Sequence, residues 1–122
     1  MVKINKNSTK LVKTITEAIQ DKKGSNITVL DLRALGSAIS DYFIVCTGNS
    51  RPQVEAIMDS ILEKVKKTHG ENPLGVEGRE NAEWILLDFM DVIVHVFQPE
   101  TRDFYKLEKL WSDAKVKNIL DN

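Results

Sequence analysis

A single cysteine, Cys46, stands in 122 residues, which excludes an intrachain disulfide and fits a reducing compartment. Long apolar runs are missing, and none approaches the ~20 residues that a membrane helix needs. The start of the chain carries Lys3, Lys6 and Lys10 but no apolar core, so it lacks the build of a secretory signal. No excess of one charge exists either: 17 Lys and Arg face 18 Asp and Glu, a net of -1. That balance argues against a surface built throughout to attract nucleic acid and leaves room only for a local patch. The glycine fingerprints of nucleotide sites, G-x-G-x-x-G and G-x-x-x-x-G-K-[ST], are absent. The length suits one packed domain and is short for two. The expectation is a small cytosolic protein, residues 1–122, with a core over about 8–112 and a charged tail over 113–122.

What is present is alternation of elements. Ser8 is placed to cap a first helix, whose Leu11, Val12, Ile15, Ala18 and Ile19 recur at helical spacing. Gly24-Ser25-Asn26 stops it, and the apolar run Ile27 to Leu32 reads as a buried strand. Gly36-Ser37 marks a loop before a second continuous strand, Tyr42 to Thr47. Ser50 then caps a long helix with Pro52 just inside, and Val54, Ile57, Met58, Ile61, Leu62 and Val65 form one stripe ending before Gly70. A short edge strand at Leu74 to Glu77 precedes a hairpin, Glu83 to Asp88 and Val92 to Phe97. Pro99 opens a last helix expected to face the core through Phe104, Leu107, Leu110 and Trp111. The tail from Ser112 is charged and expected to fray. The order predicts an α/β domain with a mixed central sheet flanked by helices.

Candidate chemistry is thin. Thr47-Gly48-Asn49-Ser50-Arg51 joins a strand to a helix start, where anions bind in nucleotide folds, but a capped turn has the same composition. Asp88 and Asp91 could hold magnesium, yet metal-dependent transfer wants two carboxylates at i and i+2 of one strand, and Asp41 has no acid at position 43. Aspartates that shape turns explain them as well. His69 closes a helix, where an exposed or dipole-facing role is ordinary. His95 interrupts the apolar run Val92 to Phe97 and reads as a structural or interface histidine. Cys46 could neighbour it, although a cysteine on an apolar strand is usually a small core residue.

Charge position is more informative. Glu77, Glu80, Glu83, Asp88 and Asp91 face only Arg79 between Glu77 and Phe97, whereas six lysines against Glu17 and Asp21 give Met1 to Lys23 a net of +4. By strand alternation Trp84, Leu86 and Asp88 share a face opposite Ile85 and Leu87. An aromatic ringed by acids suits a basic protein surface; a core tryptophan is the competing reading.

Four strings in register now become telling. Asp41 to Ser50 with Gln53-Val54, then Pro73 to Gly78 followed by Ala82 to Asp88, then Asp91 to Phe97, then Arg102 to Trp111, together resemble the ribosomal silencing factor family, also called the Iojap family. The similarity spans about residues 8 to 112. It implies a nucleotidyltransferase-like fold without the catalytic acids, no enzymatic activity, no cofactor and no metal. It further implies a translational repressor that binds the large ribosomal subunit through its fourteenth ribosomal protein and blocks joining of the small subunit when nutrients are scarce. Some organellar relatives act in large-subunit assembly. A diverged nucleotidyltransferase using Asp88, Asp91 and the Gly48 loop, and an RNA binder using the lysine-rich ends, are the alternatives.

Within that reading, Trp84, Leu86 and Asp88 are expected at the centre of the protein contact, with Tyr105 at its rim and His95 offering a ring nitrogen. Glu77, Glu83 and Asp91 are expected to supply complementary charge, and contact with ribosomal RNA to be secondary. Monomer and homodimer are both compatible with the free chain. One departure stands out: the family usually carries glycine in the hairpin turn where this chain has Met90, so either the turn differs or Met90 is strained.

Overall fold

The parallel pair at the centre of the sheet comes from two runs with no polar alternation. In this computed structural model, which describes residues 6–36 and 40–119, Tyr42–Thr47 (β2) and Val92–Phe97 (β5) are buried at every position. Both faces of these strands are therefore covered, as continuous apolar strands require. Among the described residues the sheet has six strands in the order β3-β4-β5-β2-β1-β6, with β1 at Ser25–Asp31, β3 at Gly75–Glu77, β4 at Trp84–Asp88 and β6 at Lys115–Ile119. Only β2 and β5 pair in parallel; the other neighbours run antiparallel. The expected α/β class and mixed sheet are observed. Ser37, in the expected Gly36-Ser37 loop, and the ends outside 6–119 lie outside the described residues.

Two helices cover one face. Lys6–Asp21 (α1) starts earlier than the Ser8 cap predicted, and Ser8 is buried inside its first turns. Arg51–His69 (α2) has the predicted punctuation: the Ser50 hydroxyl accepts the Gln53 amide at 3.2 Å, and Gly70 closes the helix in the left-handed conformation, φ 70°. Leu11, Ile15 and Ile19 meet Val54, Ile57, Ile61 and Val65 over Ile44, Cys46, Ile85 and Val94, forming the larger core. His69 is not merely solvated, since its Nε2 lies 2.8 Å from the Thr14 hydroxyl and links the two helices.

The second face carries a smaller core of Leu30, Leu32, Phe43, Val45, Ile93, Phe97, Leu107 and Ala114. The last helix departs from expectation here. Lys106 adopts φ 48°, which divides it into Pro99–Tyr105 (α3) and Leu107–Leu110 (α4). The resulting change of direction inserts Leu107 into the core but leaves Phe104 and Leu110 exposed, with Trp111 packed at the margin. The tail does not fray after Ser112, because Lys115–Ile119 pairs along β1 from Asp31 to Ile27.

The predicted hairpin forms, and Met90 sits at its tip with φ 72°, the conformation glycine would take most cheaply. The Asp88 carboxylate supports it by accepting the Met90 amide at 2.8 Å. Gly78 is equally constrained: its φ is 88°, and a β-carbon there would run into the main-chain carbonyl of Trp84.

Candidate protein-docking face

β4 divides its side chains as alternation predicts. Ile85 and Leu87 are fully buried under the helices, while Trp84, Leu86 and Asp88 are half-buried on the other face. Cross-strand pairing sets Phe97 opposite Trp84, His95 opposite Leu86 and Ile93 opposite Asp88. Directly paired residues share a face, so Glu77, paired with Leu86 from β3, joins the same surface. The indole of Trp84 stacks on Phe97 with centroids 4.8 Å apart and touches Tyr105 at 4.9 Å. Tyr105 is 52% exposed and Phe104, 5.0 Å from it, is 78% exposed.

The structure thus brings Trp84, Leu86, Tyr105 and Glu77 together, with Asp88 at the hairpin end of the same face. Glu83 directly precedes Trp84 and stands at the same end of β4, where it lines a shallow cavity with Asn49, Gln98 and Pro99. Asp91 lies in the turn, six residues from Phe97, the partner of Trp84, or about 20 Å along the strand direction at ~3.3 Å per residue. Its main-chain carbonyl accepts the amides of Asp41 and Tyr42.

His95 requires a correction. It is 3% exposed, so it offers no ring nitrogen to the surface. Its Nδ1 instead accepts the indole Nε1–H of Trp84 at 3.1 Å, and Nε2 is buried with no hydrogen-bond partner among the described residues. Burial pushes the imidazole down to about 4, so the ring is neutral at ordinary pH. Sequence reasoning missed Phe104 and Leu110 as exposed residues. The adjacent aromatics Phe104-Tyr105 were the available signal, because neighbouring helical residues do not share one face.

The alternative sites resolve into structural roles. Cys46 pairs with Val96 and Val45 with His95, so Cys46 and His95 project to opposite faces of the sheet. Burial drives the Cys46 thiol up to about 12. In the Gly48 loop, the Gly48 amide bonds the Phe97 carbonyl and the Asn49 amide bonds the Gln53 side chain at 2.7 Å. Gln53 also donates to the carbonyls of Lys22 and Lys23, so this is a capped turn that ties α2 to the end of α1. Among the described residues, no three His, Cys, Asp or Glu side chains gather as metal ligands. No helix among the described residues is long and apolar enough to cross a membrane.

Fold and face together define a small α/β domain with an open aromatic sheet surface, a build suited to docking. The chain belongs to the ribosomal silencing factor family: the family model described as ribosomal silencing factor during starvation matches residues 5–122. It is 42% identical over 104 residues to the ribosomal silencing factor RsfS of Halalkalibacterium halodurans, covering 85% of this chain and 87% of that one. A crystal structure of a Chromobacterium violaceum protein superimposes with a TM-score of 0.80 at 38% identity, covering 92% of each chain. The mouse mitochondrial assembly of ribosomal large subunit protein 1 is 32% identical over 75 residues, covering 60% of this chain and 33% of that one. Family membership supports a ribosome-associated silencing role.

Proposed function

We propose that this protein represses translation by docking on the large ribosomal subunit, at its fourteenth ribosomal protein, and sterically blocking the small subunit. The observation that carries this reading is the face formed by Trp84, Leu86 and Tyr105, which leaves aromatic surface open beside Glu77 and Asp88 on a domain of the silencing family. Aromatic anchors are the usual energetic centre of a protein contact, and the carboxylates suit a basic ribosomal protein. Action is by occupancy in the cytoplasm, with no catalytic step, no cofactor and no metal. Phe104, exposed and edge-on to Tyr105, extends the contact beyond the residues that the sequence suggested.

Sedimentation of purified protein with purified large subunits tests the reading. Co-migration with the large subunit, and a fall in assembled ribosomes when small subunits are added, are expected without any nucleotide. Large subunits that neither retain the protein nor lose joining activity would overturn it. The similarity to the mouse mitochondrial assembly protein favours a second reading, a role in large-subunit assembly. Under that reading, depletion would accumulate precursor particles while the joining of mature subunits stayed unaffected.

A further inference from the structure

The purpose of a buried histidine on an otherwise apolar strand is not explained by packing. His95 occupies β5 between Val94 and Val96, edge-on to Phe43 at 4.9 Å and alongside Phe97. A hydrocarbon side chain there would fill the space without leaving a polar atom unpaired. The imidazole instead buries Nε2 with no partner among the described residues, a cost that core packing alone would not favour. What the ring gains is its other nitrogen. Trp84 is diagonal to His95 across the β4–β5 pair, and its Nε1–H reaches Nδ1 at 3.1 Å.

An indole nitrogen can only donate. Nδ1 must therefore carry the lone pair, and the ring proton sits on Nε2. Phe97 stacks against the indole, Tyr105 lies beside it, and the bond to His95 selects one orientation of the ring within that aromatic setting. Preorganised aromatic side chains bind more tightly because less rotameric freedom is lost on association.

We propose that His95 is a positioning residue, which never touches the partner and holds the Trp84 indole in the orientation that the ribosomal partner meets. This rests on the docking reading given above. A corollary follows for the partner's chemistry. Because the indole N–H is already used inside the fold, the partner meets Trp84 through carbon, on the ring face and outer edge, and contributes no hydrogen-bond acceptor to it.

Two substitutions separate the roles. His95→Phe keeps an aromatic ring and removes the acceptor, whereas His95→Asn places an amide oxygen near the former Nδ1. The indole N–H resonances of Trp84 and Trp111, assigned with Trp111→Phe, report the bond directly. For His95→Phe the Trp84 resonance is expected to move, and large-subunit affinity to fall about tenfold or more with no matching drop in melting temperature. His95→Asn is expected to keep the resonance near its original position and the affinity within about threefold. If His95→Phe binds as tightly as the parent while Trp84→Ala does not bind, the positioning role is wrong and the docking face stands. If Trp84→Ala itself binds normally, both fail. Should His95→Phe not fold, nitrogen NMR of the parent imidazole decides: a proton found on Nδ1 rather than Nε2 overturns the inference.

Discussion

The guanidinium of Arg102 donates to the main-chain carbonyl of Asn26 across 2.7 Å, joining α3 to the first strand. The same group reaches the hydroxyls of Thr47 at 2.9 Å and Thr28 at 3.2 Å, and pairs with Glu108 at 3.2 Å. One mostly buried side chain thus fixes the end of β2, the start of β1 and both pieces of the broken helix that carries Tyr105. Lysine cannot reproduce this fork of donors. Arg102→Lys should cost about 1–2 kcal/mol and Arg102→Ala about 2–3 kcal/mol, since several bonds vanish and Glu108 loses its partner. Urea denaturation measures both, and an unchanged midpoint for Arg102→Lys would refute the network's importance.

Binding and stability should separate along the proposed docking face. Phe104 is too exposed to support the core, so Phe104→Ala should move the melting temperature little and weaken large-subunit binding about tenfold. Trp84 packs on Phe97 and is half-buried, so Trp84→Ala should lower both the melting temperature and the affinity, the latter by about thirtyfold. Glu83 borders Trp84 as an exposed charge beside Gln98 and Pro99, and Glu83→Ala should bring only a small, salt-dependent loss of affinity. Melts recorded beside sedimentation binding give the comparison.

Much of this was legible in the sequence where one physical signal ruled alone. β2 and β5 were plain because every residue from Tyr42 to Thr47 and nearly every one from Val92 to Phe97 is apolar or β-branched, and α2 because Ser50, Pro52 and Gly70 bracket a clean stripe. The last helix was misread because apolar spacing from Phe104 to Trp111 is helical, while the break depends on a lysine entering φ 48°, which no local preference announces. β6 was hidden for a different cause. Lys115-Val116-Lys117-Asn118 is polar and exposed, and its strand character comes from the open edge of β1 rather than from its own composition. The candidate docking face was half visible: alternation gave Trp84, Leu86 and Asp88, but only the fold could show His95 turned inward and Asp91 carried to the far end of the hairpin.

Acid should weaken the fold through His95. The unfolded imidazole takes a proton near its ordinary value of 6.5, whereas the buried ring resists until about 4. The unfolded chain therefore binds more protons in that interval, and stability, complete above about 6.5, falls as the pH drops towards 4. The loss is on the order of 3 kcal/mol at ~1.4 kcal/mol per unit. Melting temperature followed from pH 7.5 downward should show this decline, and His95→Phe should flatten it. The Asp31 carboxyl, held low by its hydrogen bonds with Arg33, contributes at lower pH still, below its ordinary value of 3.8.

The hairpin tip stores strain that one substitution can release. Met90 holds φ 72° while its side chain is 60% exposed, so it contributes little packing. Met90→Gly should stabilise the protein by about 0.5–1 kcal/mol, the relief of a left-handed residue less the added freedom of glycine in the unfolded chain. A melting temperature raised by a few degrees is expected, and a lowered one would show that the methionine makes a contact worth more than its strain.

The sheet is finished by the sixth strand in chain order among the described residues. β3, β4, β5, β2 and β1 are adjacent in that order, and β6 closes the free edge of β1 by pairing Ile119 with Ile27. Until Lys115–Ile119 has docked, the hydrogen-bonding edge of β1 is bare. An uncovered edge invites pairing with another chain, and two lysines on the arriving strand discourage that same pairing once it has docked. A chain without Lys115–Ile119 would keep its larger core, yet carry a permanently adhesive border.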